Sequence, residues 1–199
     1  MRKTIGVLAL QGAFIEHEKM LQRLGCETRE LRNAADLQAP IDGLILPGGE
    51  STVQGKLLRE TGMFDTIRSW IVGGMPVLAT CAGLILLAEE LEGDETRYFA
   101  TLPVRVKRNA YGRQLGSFVA EEAVRGIGRM EMHFIRAPYI EKAAPEVEIL
   151  SRTGGHIVAV QYRHQIACAF HPEVTADTRL HARFLSLCEM YALSMQKAG

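Results

Sequence analysis

Cys81 stands where a thiol could do chemistry. It follows the apolar run 76–80 and precedes a helical pattern, in the segment Ala79-Thr80-Cys81-Ala82-Gly83. A nucleophile on such a strand-to-helix turn projects from the carboxyl edge of a sheet, where α/β folds place their ligands. The small residues Ala82 and Gly83 suit a tight turn. The helix start offers free backbone N–H groups and a positive dipole end. Both favour a thiolate, which is the reactive form. A buried structural cysteine is the competing reading of the same pattern, because free cysteine is often buried. Cys26, Cys168 and Cys188 lack the turn context, and Cys168 and Cys188 read as core residues.

A cysteine nucleophile needs a base, and the base needs a group that fixes its tautomer. Phe170-His171-Pro172-Glu173 follows a second apolar run, 166–170, and so falls at another strand end. His171 fits the base and Glu173 the orienting acid, with Pro172 stopping the strand. Taken alone the triplet equally describes a loop histidine beside a solvated glutamate. No third ligand with metal-type spacing accompanies them. His17 and His181 fall in helical patterns, and His156 and His164 in turns. These four read as structural or surface residues, with His17 an interface candidate.

A third strand end carries Leu46-Pro47-Gly48-Gly49-Glu50-Ser51-Thr52. Paired glycines let backbone N–H groups turn toward a ligand, and such donors suit the oxyanion of a tetrahedral intermediate. No Gly-Lys-Ser/Thr follows, so this is no P-loop. An ordinary connection with Ser51 capping a helix is the plainer alternative. Arg108-Asn109-Ala110-Tyr111-Gly112-Arg113 and Phe134-Ile135-Arg136-Ala137-Pro138 place arginines beside turn residues. Arginine binds a carboxylate through two hydrogen bonds, which an amino-acid substrate requires. Surface arginines would look the same.

The elements that must position these groups alternate through the first half. Strands are expected at 4–10, 27–31, 43–46 and 76–80. Helices are expected at 14–24, 55–60, 64–73 and 82–91. Strand–helix alternation predicts a parallel sheet covered on both faces. The second half predicts strands at 104–107, 116–120, 147–151, 157–162 and 166–170, the last two forming a hairpin around Arg163-His164. A closing helix is expected at 178–195. The expected fold is one α/β domain over 1–199, with a mixed, mostly parallel sheet.

Composition agrees with that scale. The 199 residues are 47% hydrophobic, the size and make-up of one globular domain. Lys and Arg number 23 and Asp and Glu 23, so there is no basic excess of the kind a nucleic-acid surface needs. The four scattered cysteines fit reduced thiols better than disulfides. The apolar stretch after Met1-Arg2-Lys3 is broken by Gln11-Gly12 and has no cleavage pattern. The longest apolar run, 76–88, is too short for a bilayer. A cytoplasmic location is the expectation.

Together the motifs resemble the class I, or triad, glutamine amidotransferases over nearly the whole chain. The closer resemblance is to the glutaminase subunits of pyridoxal 5′-phosphate synthase. That branch is indicated by residues 6–13 with Glu16-His17, by Gly48-Gly49-Glu50-Ser51-Thr52 and by Phe134-Ile135-Arg136-Ala137-Pro138. Thr80-Cys81-Ala82-Gly83-Leu84, the segment 108–114 and His171-Pro172-Glu173 complete the match. The resemblance implies a three-layer fold and glutamine as substrate. It implies a Cys81, His171, Glu173 triad, with Gly49, Glu50, Ser51, Arg108, Ile135 and Arg136 around the glutamine. It implies no cofactor or metal. It implies a hetero-oligomeric complex with a (β/α)₈-barrel synthase subunit, met by the region 11–17. That partner would make pyridoxal 5′-phosphate from ribose 5-phosphate and glyceraldehyde 3-phosphate. Ala79 departs from the glycine common at its position in the class. The segment 129–133 matches no pattern of the family. Other open readings are another amidotransferase branch, such as that of histidine biosynthesis, a non-catalytic protein on the same fold, or a cysteine hydrolase of peptides or γ-glutamyl compounds.

Overall fold

Short, wholly apolar strands build the centre of the molecule. A computed structural model describes residues 2–110 and 116–198. Tyr111, Gly112, Arg113 and Gln114 of the arginine-bearing segment lie outside the described residues. In chain order the first elements are β1 (Thr4–Leu8), α1 (Phe14–Arg23), β2 (Glu27–Leu31), β3 (Gly43–Leu46), α2 (Ser51–Glu60), α3 (Phe64–Val72), β4 (Val77–Thr80) and α4 (Ala82–Leu87). Then follow β5 (Ala88–Leu91), β6 (Leu102–Lys107), β7 (Ser117–Val124), β8 (Gly128–Ile135) and β9 (Tyr139–Ala143). The chain continues through β10 (Glu148–Thr153), β11 (His156–Tyr162), β12 (Gln165–Cys168) and α5 (Arg179–Ala198).

The main sheet has the order β2-β1-β3-β4-β12-β11-β9-β6-β5, with β10 paired to β11. From β2 to β12 every pairing is parallel. Every residue of β3, β4 and β12 is buried, so helices or loops cover both faces there. Beyond β12 the pairings with β11, β9 and β6 are antiparallel. β7 and β8 form a separate ribbon. The mixed α/β fold expected from the sequence is the one observed.

This order gathers chemistry at one edge. β1, β3, β4 and β12 lie side by side and point the same way. Their carboxyl ends lead to Gln11, to the Pro47–Gly49 loop, to Cys81 and to His171. Chain order reverses between β1 and β3, the switch point where open α/β sheets bind ligands.

Several expectations need correction. Residues 82–91 are not one helix. Ala88 takes φ −58° and ψ 137°, ending α4 after six residues, and 88–91 turn into β5 on the edge of β6. β8 and β9 were not expected as strands. In β8 the buried residues Met130, Met132 and Phe134 alternate with outward-facing ones, the period of a one-sided strand. α2 starts at Ser51 and is capped by Glu50, whose side chain accepts from the Thr52 N–H, so Ser51 is not its cap. His156 begins a strand, while His164 lies in the expected hairpin turn, with Tyr162 opposite Gln165.

α5 closes the core from one side. Leu180, Phe184 and Cys188 are fully buried at successive turns. Phe184→Ala should destabilise the fold by about 3–5 kcal/mol, the usual cost of an emptied phenylalanine site. A urea unfolding midpoint measures this; an unchanged midpoint would mean that α5 does not anchor the sheet.

Candidate active site

The backbone at Cys81 is bent away from ordinary residue space. Its φ of 48° and ψ of −100° are uncommon for any residue but glycine, and such strain gathers at functional turns. The turn is held because the Cys81 N–H donates to the Cys168 carbonyl, 2.8 Å away on the adjacent strand β12. The thiol is 6% exposed and opens on the cavity, with its sulfur 4.0 Å from the Ile135 carbonyl oxygen.

His171 reaches the thiol from β12. Its N–H donates to the His133 carbonyl of β8 at 2.8 Å, tying the ribbon to the site. Pro172 then starts a single turn that swings Glu173 back beneath the ring. Nδ1 of His171 lies 2.6 Å from Glu173 Oε1, and the ring shares the cavity wall with Cys81. Burial alone would lower the pKa of His171. The hydrogen bonds and negative charge of Cys81 and Glu173 outweigh it and raise the value to about 10. Burial likewise pushes Glu173 up, but the neighbouring His17 and His171 bring it below its ordinary value.

These shifts set opposite limbs of stability. The unfolded imidazole titrates near 6.5, so the His171 contribution is complete below that pH and is lost as pH rises toward about 10. The Glu173 contribution is present above the ordinary carboxyl value and is lost as pH falls through its lowered folded value. Thermal unfolding should therefore show falling stability between pH 6.5 and about 10, with a shallower fall in Cys81→Ala, which lacks one partner of the imidazolium. Identical alkaline slopes in the two proteins would show that the pair does not exist.

The glycine loop closes against both groups. A Cβ on Gly48 would sit 2.3 Å from His171 Cε1 and 3.4 Å from Cys81 Cβ, so only glycine lets the backbone pass. The Gly48 N–H donates to Thr80 Oγ1 at 3.0 Å. The chain after β1 clamps the loop from outside. The Ala13 N–H donates to the Gly48 carbonyl at 3.1 Å, and the Glu50 N–H donates to Gln11 Oε1 at 2.7 Å. Gly12, at φ 101°, leaves no room for a Cβ, which would lie 1.8 Å from the Gly48 oxygen.

A cavity of about 260 Å³ opens between these parts. Gly49, Glu50, Ser51, Arg108, Ile135 and Arg136 line it together with Cys81 and His171. Glu173 is not in its wall; it lies behind His171 and is 4% exposed. Gln11, Ile85 and Asn109 also line the cavity and were not expected there. Gln11 belongs to a segment read from the sequence as partner-facing. Ile85 sits in the first turn of α4, a consequence of the Cys81 elbow. Arg108 is already engaged: Asp94 accepts from it at 3.2 Å, Thr52 at 3.1 Å and Glu50 at 3.5 Å.

His17 was read as a structural or surface residue and an interface candidate. Of the structural and surface readings the buried, structural one holds: it is fully buried, with Nε2 3.5 Å from Glu173 Oε2, a contact the sequence did not show. Among the described residues no group of three or more His, Cys, Asp or Glu is arranged to hold a metal ion. No helix among them is long and apolar enough to cross a membrane.

The mixed, mostly parallel sheet has the fold of the class I glutamine amidotransferases. A solved structure described as a glutamine amidotransferase superimposes with a TM-score of 0.88 at 44% identity, covering 93% of this chain and 98% of that one. Residues 7–190 match the model of the SNO glutamine amidotransferase family, and the chain belongs to that family. It is thus an enzyme of the glutaminase kind. A Desulfitobacterium hafniense protein named pyridoxal 5′-phosphate synthase subunit PdxT is 65% identical over 181 residues, with 91% of each chain covered. A Streptococcus pneumoniae protein of the same name is 50% identical over 188 residues, covering 93% of this chain and 97% of that one.

Proposed function

We propose that the chain hydrolyses L-glutamine to L-glutamate and ammonia with Cys81 as nucleophile, His171 as proton carrier and Glu173 as orienting acid. The observation that carries this reading is that Cys81 and His171 line one cavity, on either side of Gly48, with the buried Glu173 hydrogen-bonded behind His171. The Cys81 sulfur attacks the side-chain amide carbon of glutamine. His171 gives the proton to the departing ammonia, leaving a γ-glutamyl thioester. His171 then takes a proton from water as the water attacks the thioester, and glutamate leaves as the sulfur is freed. In this reading backbone N–H groups at Gly49 and at the start of α4 stabilise the oxyanion. Arg108 takes the substrate α-carboxylate, and Glu50 turns from Arg108 to the α-ammonium group. Ser51, Ile135 and Arg136 complete the glutamine site.

The ammonia passes to a synthase subunit in a hetero-oligomeric complex. The names of the relatives support pyridoxal 5′-phosphate as its destination. In this reading the partner is a (β/α)₈ barrel using ribose 5-phosphate and glyceraldehyde 3-phosphate. The chain itself is a single cytoplasmic glutaminase domain without cofactor. The test is an ammonia assay on the full chain, alone and with the synthase subunit. Slow release alone and faster release together support the coupling; equal, fast release in both removes it.

A further inference from the structure

Glu173 has a second oxygen that the triad does not use. Oε1 meets His171, while Oε2 is buried and has no hydrogen-bond partner within the accepted distance among the described residues. His17, from α1, places Nε2 3.5 Å from that oxygen and 3.1 Å from Thr80 Oγ1. Its Nδ1 lies 2.9 Å from Nε2 of His181 on α5. Both histidines are fully buried, and His181 Nδ1 has no partner among the described residues.

These facts fix where the protons sit. Two neutral rings sharing one hydrogen bond have two arrangements. In the first, His17 holds its proton on Nδ1 and donates to His181. The Thr80 hydroxyl can then donate to the His17 Nε2 lone pair, but Glu173 Oε2 is left without a donor and His181 carries an N–H with no acceptor among the described residues. In the second, His181 donates from Nε2, His17 accepts at Nδ1, and the His17 Nε2–H points at Thr80 and Glu173. The second leaves the His181 Nδ1 lone pair and the Thr80 hydroxyl proton unpaired among the described residues, and gives the buried carboxylate oxygen the N–H it otherwise lacks. Leaving a buried carboxylate oxygen without a donor costs more than leaving neutral groups unpaired.

We infer that His17 is a positioning residue for the triad: as the Nε2–H tautomer imposed by His181, it steadies Glu173 from the side opposite His171. This rests on the reading of His171 and Glu173 as base and acid. The same N–H contacts Thr80, whose hydroxyl oxygen receives the Gly48 N–H. One ring therefore braces both the acid and the glycine loop. The titratable groups facing His17 are Glu173 and His171 from the segment after β12, His181 from α5 and Glu16 from its own helix. Burial dominates over these charges and lowers His17, and burial with His17 takes His181 down to about 3, so both rings stay neutral.

The test begins on the unaltered full chain, labelled with ¹⁵N-histidine. Long-range ¹H–¹⁵N spectra should show His17 and His181 as neutral Nε2–H tautomers, assigned with His17→Gln and His181→Gln. An Nδ1–H form or an imidazolium at His17 overturns the inference. The second arm compares His17→Gln, which keeps an amide N–H near the ring position, with His17→Leu, which removes it. With the synthase subunit present, His17→Leu should lower kcat roughly 10- to 100-fold, the usual cost of losing an outer hydrogen-bond partner. KM should change little, and the pH dependence of Cys81 alkylation by iodoacetamide should shift. His17→Gln should restore most of the turnover and the original profile. Equal losses in both variants, or no loss with leucine, overturn the inference. Alkylation and spectra need no glutamine, so a failed glutaminase reading would appear separately, as a wild-type chain that releases no ammonia.

Discussion

A Cys81→Ala chain will release no measurable ammonia from glutamine while keeping its fold. Alanine fits the space of cysteine at a site only 6% exposed, and the turn is held by a backbone bond to Cys168 that the change leaves intact. What disappears is the sulfur, and with it the thioester route. Loss of a nucleophile whose base remains costs on the order of 10,000-fold or more in kcat. No other thiol can take over. Cys26 is buried away from the cavity, and Cys188 lies on α5 with its thiol pushed up to about 12 by burial. Cys168 is the nearest rival in the sheet, but it is fully buried, points at the Phe170 carbonyl and is held well above the ordinary thiol value by burial and by Glu173. A glutamate-dehydrogenase-coupled assay reads the ammonia, and circular dichroism reads the fold. Turnover within tenfold of the parent chain would take the nucleophile role from Cys81.

The second large effect belongs to Glu173→Gln. The amide has the shape of the carboxylate, so packing at a site 4% exposed is preserved. It lacks the charge that helps hold the proton on His171. It can also present an N–H to the ring, favouring the wrong tautomer. In serine triads the matching change lowers kcat by about 10,000-fold with the geometry intact, and a comparable loss is expected here. The alkaline fall in stability attributed to His171 should move to lower pH, because Glu173 is one of the two groups raising that pKa. Turnover within tenfold of wild type would mean that the carboxylate is structural only.

Most of the edge that carries the site was legible because strands mark themselves. The strands ending at Leu8, Leu46 and Thr80 are short, continuous apolar runs, each followed by glycine or small residues. Their carboxyl ends must share an edge if they are parallel, and they do. The region 82–91 was misread because its apolar run continues from helix into strand without a glycine or proline, so periodicity could not show where one period gave way to the other. β8 hid its alternation in methionine, glutamate and histidine, residues without strong strand preference. It brings Ile135 and Arg136 to the cavity, on a strand that the sequence did not show. Arg108 was read as a carboxylate-binding or a surface arginine; its acidic partner Asp94 lies on a turn that no local pattern connects to it. His17 could not be found at all. At helical spacing with Phe14 and Leu21 it reads as a packing residue, and its partner His181 lies 164 positions along the chain.

The parallel half of the sheet has a consequence for the time course of synthesis. β12 is the last strand made, yet it inserts between β4 and β11, both already complete. Until it docks, Cys81 has neither the carbonyl that holds its turn nor the imidazole proposed as its base. A nascent chain on the ribosome therefore carries Cys81 as an ordinary thiol until β12 is made. The proposed nucleophile and base are brought together only when that strand closes the sheet.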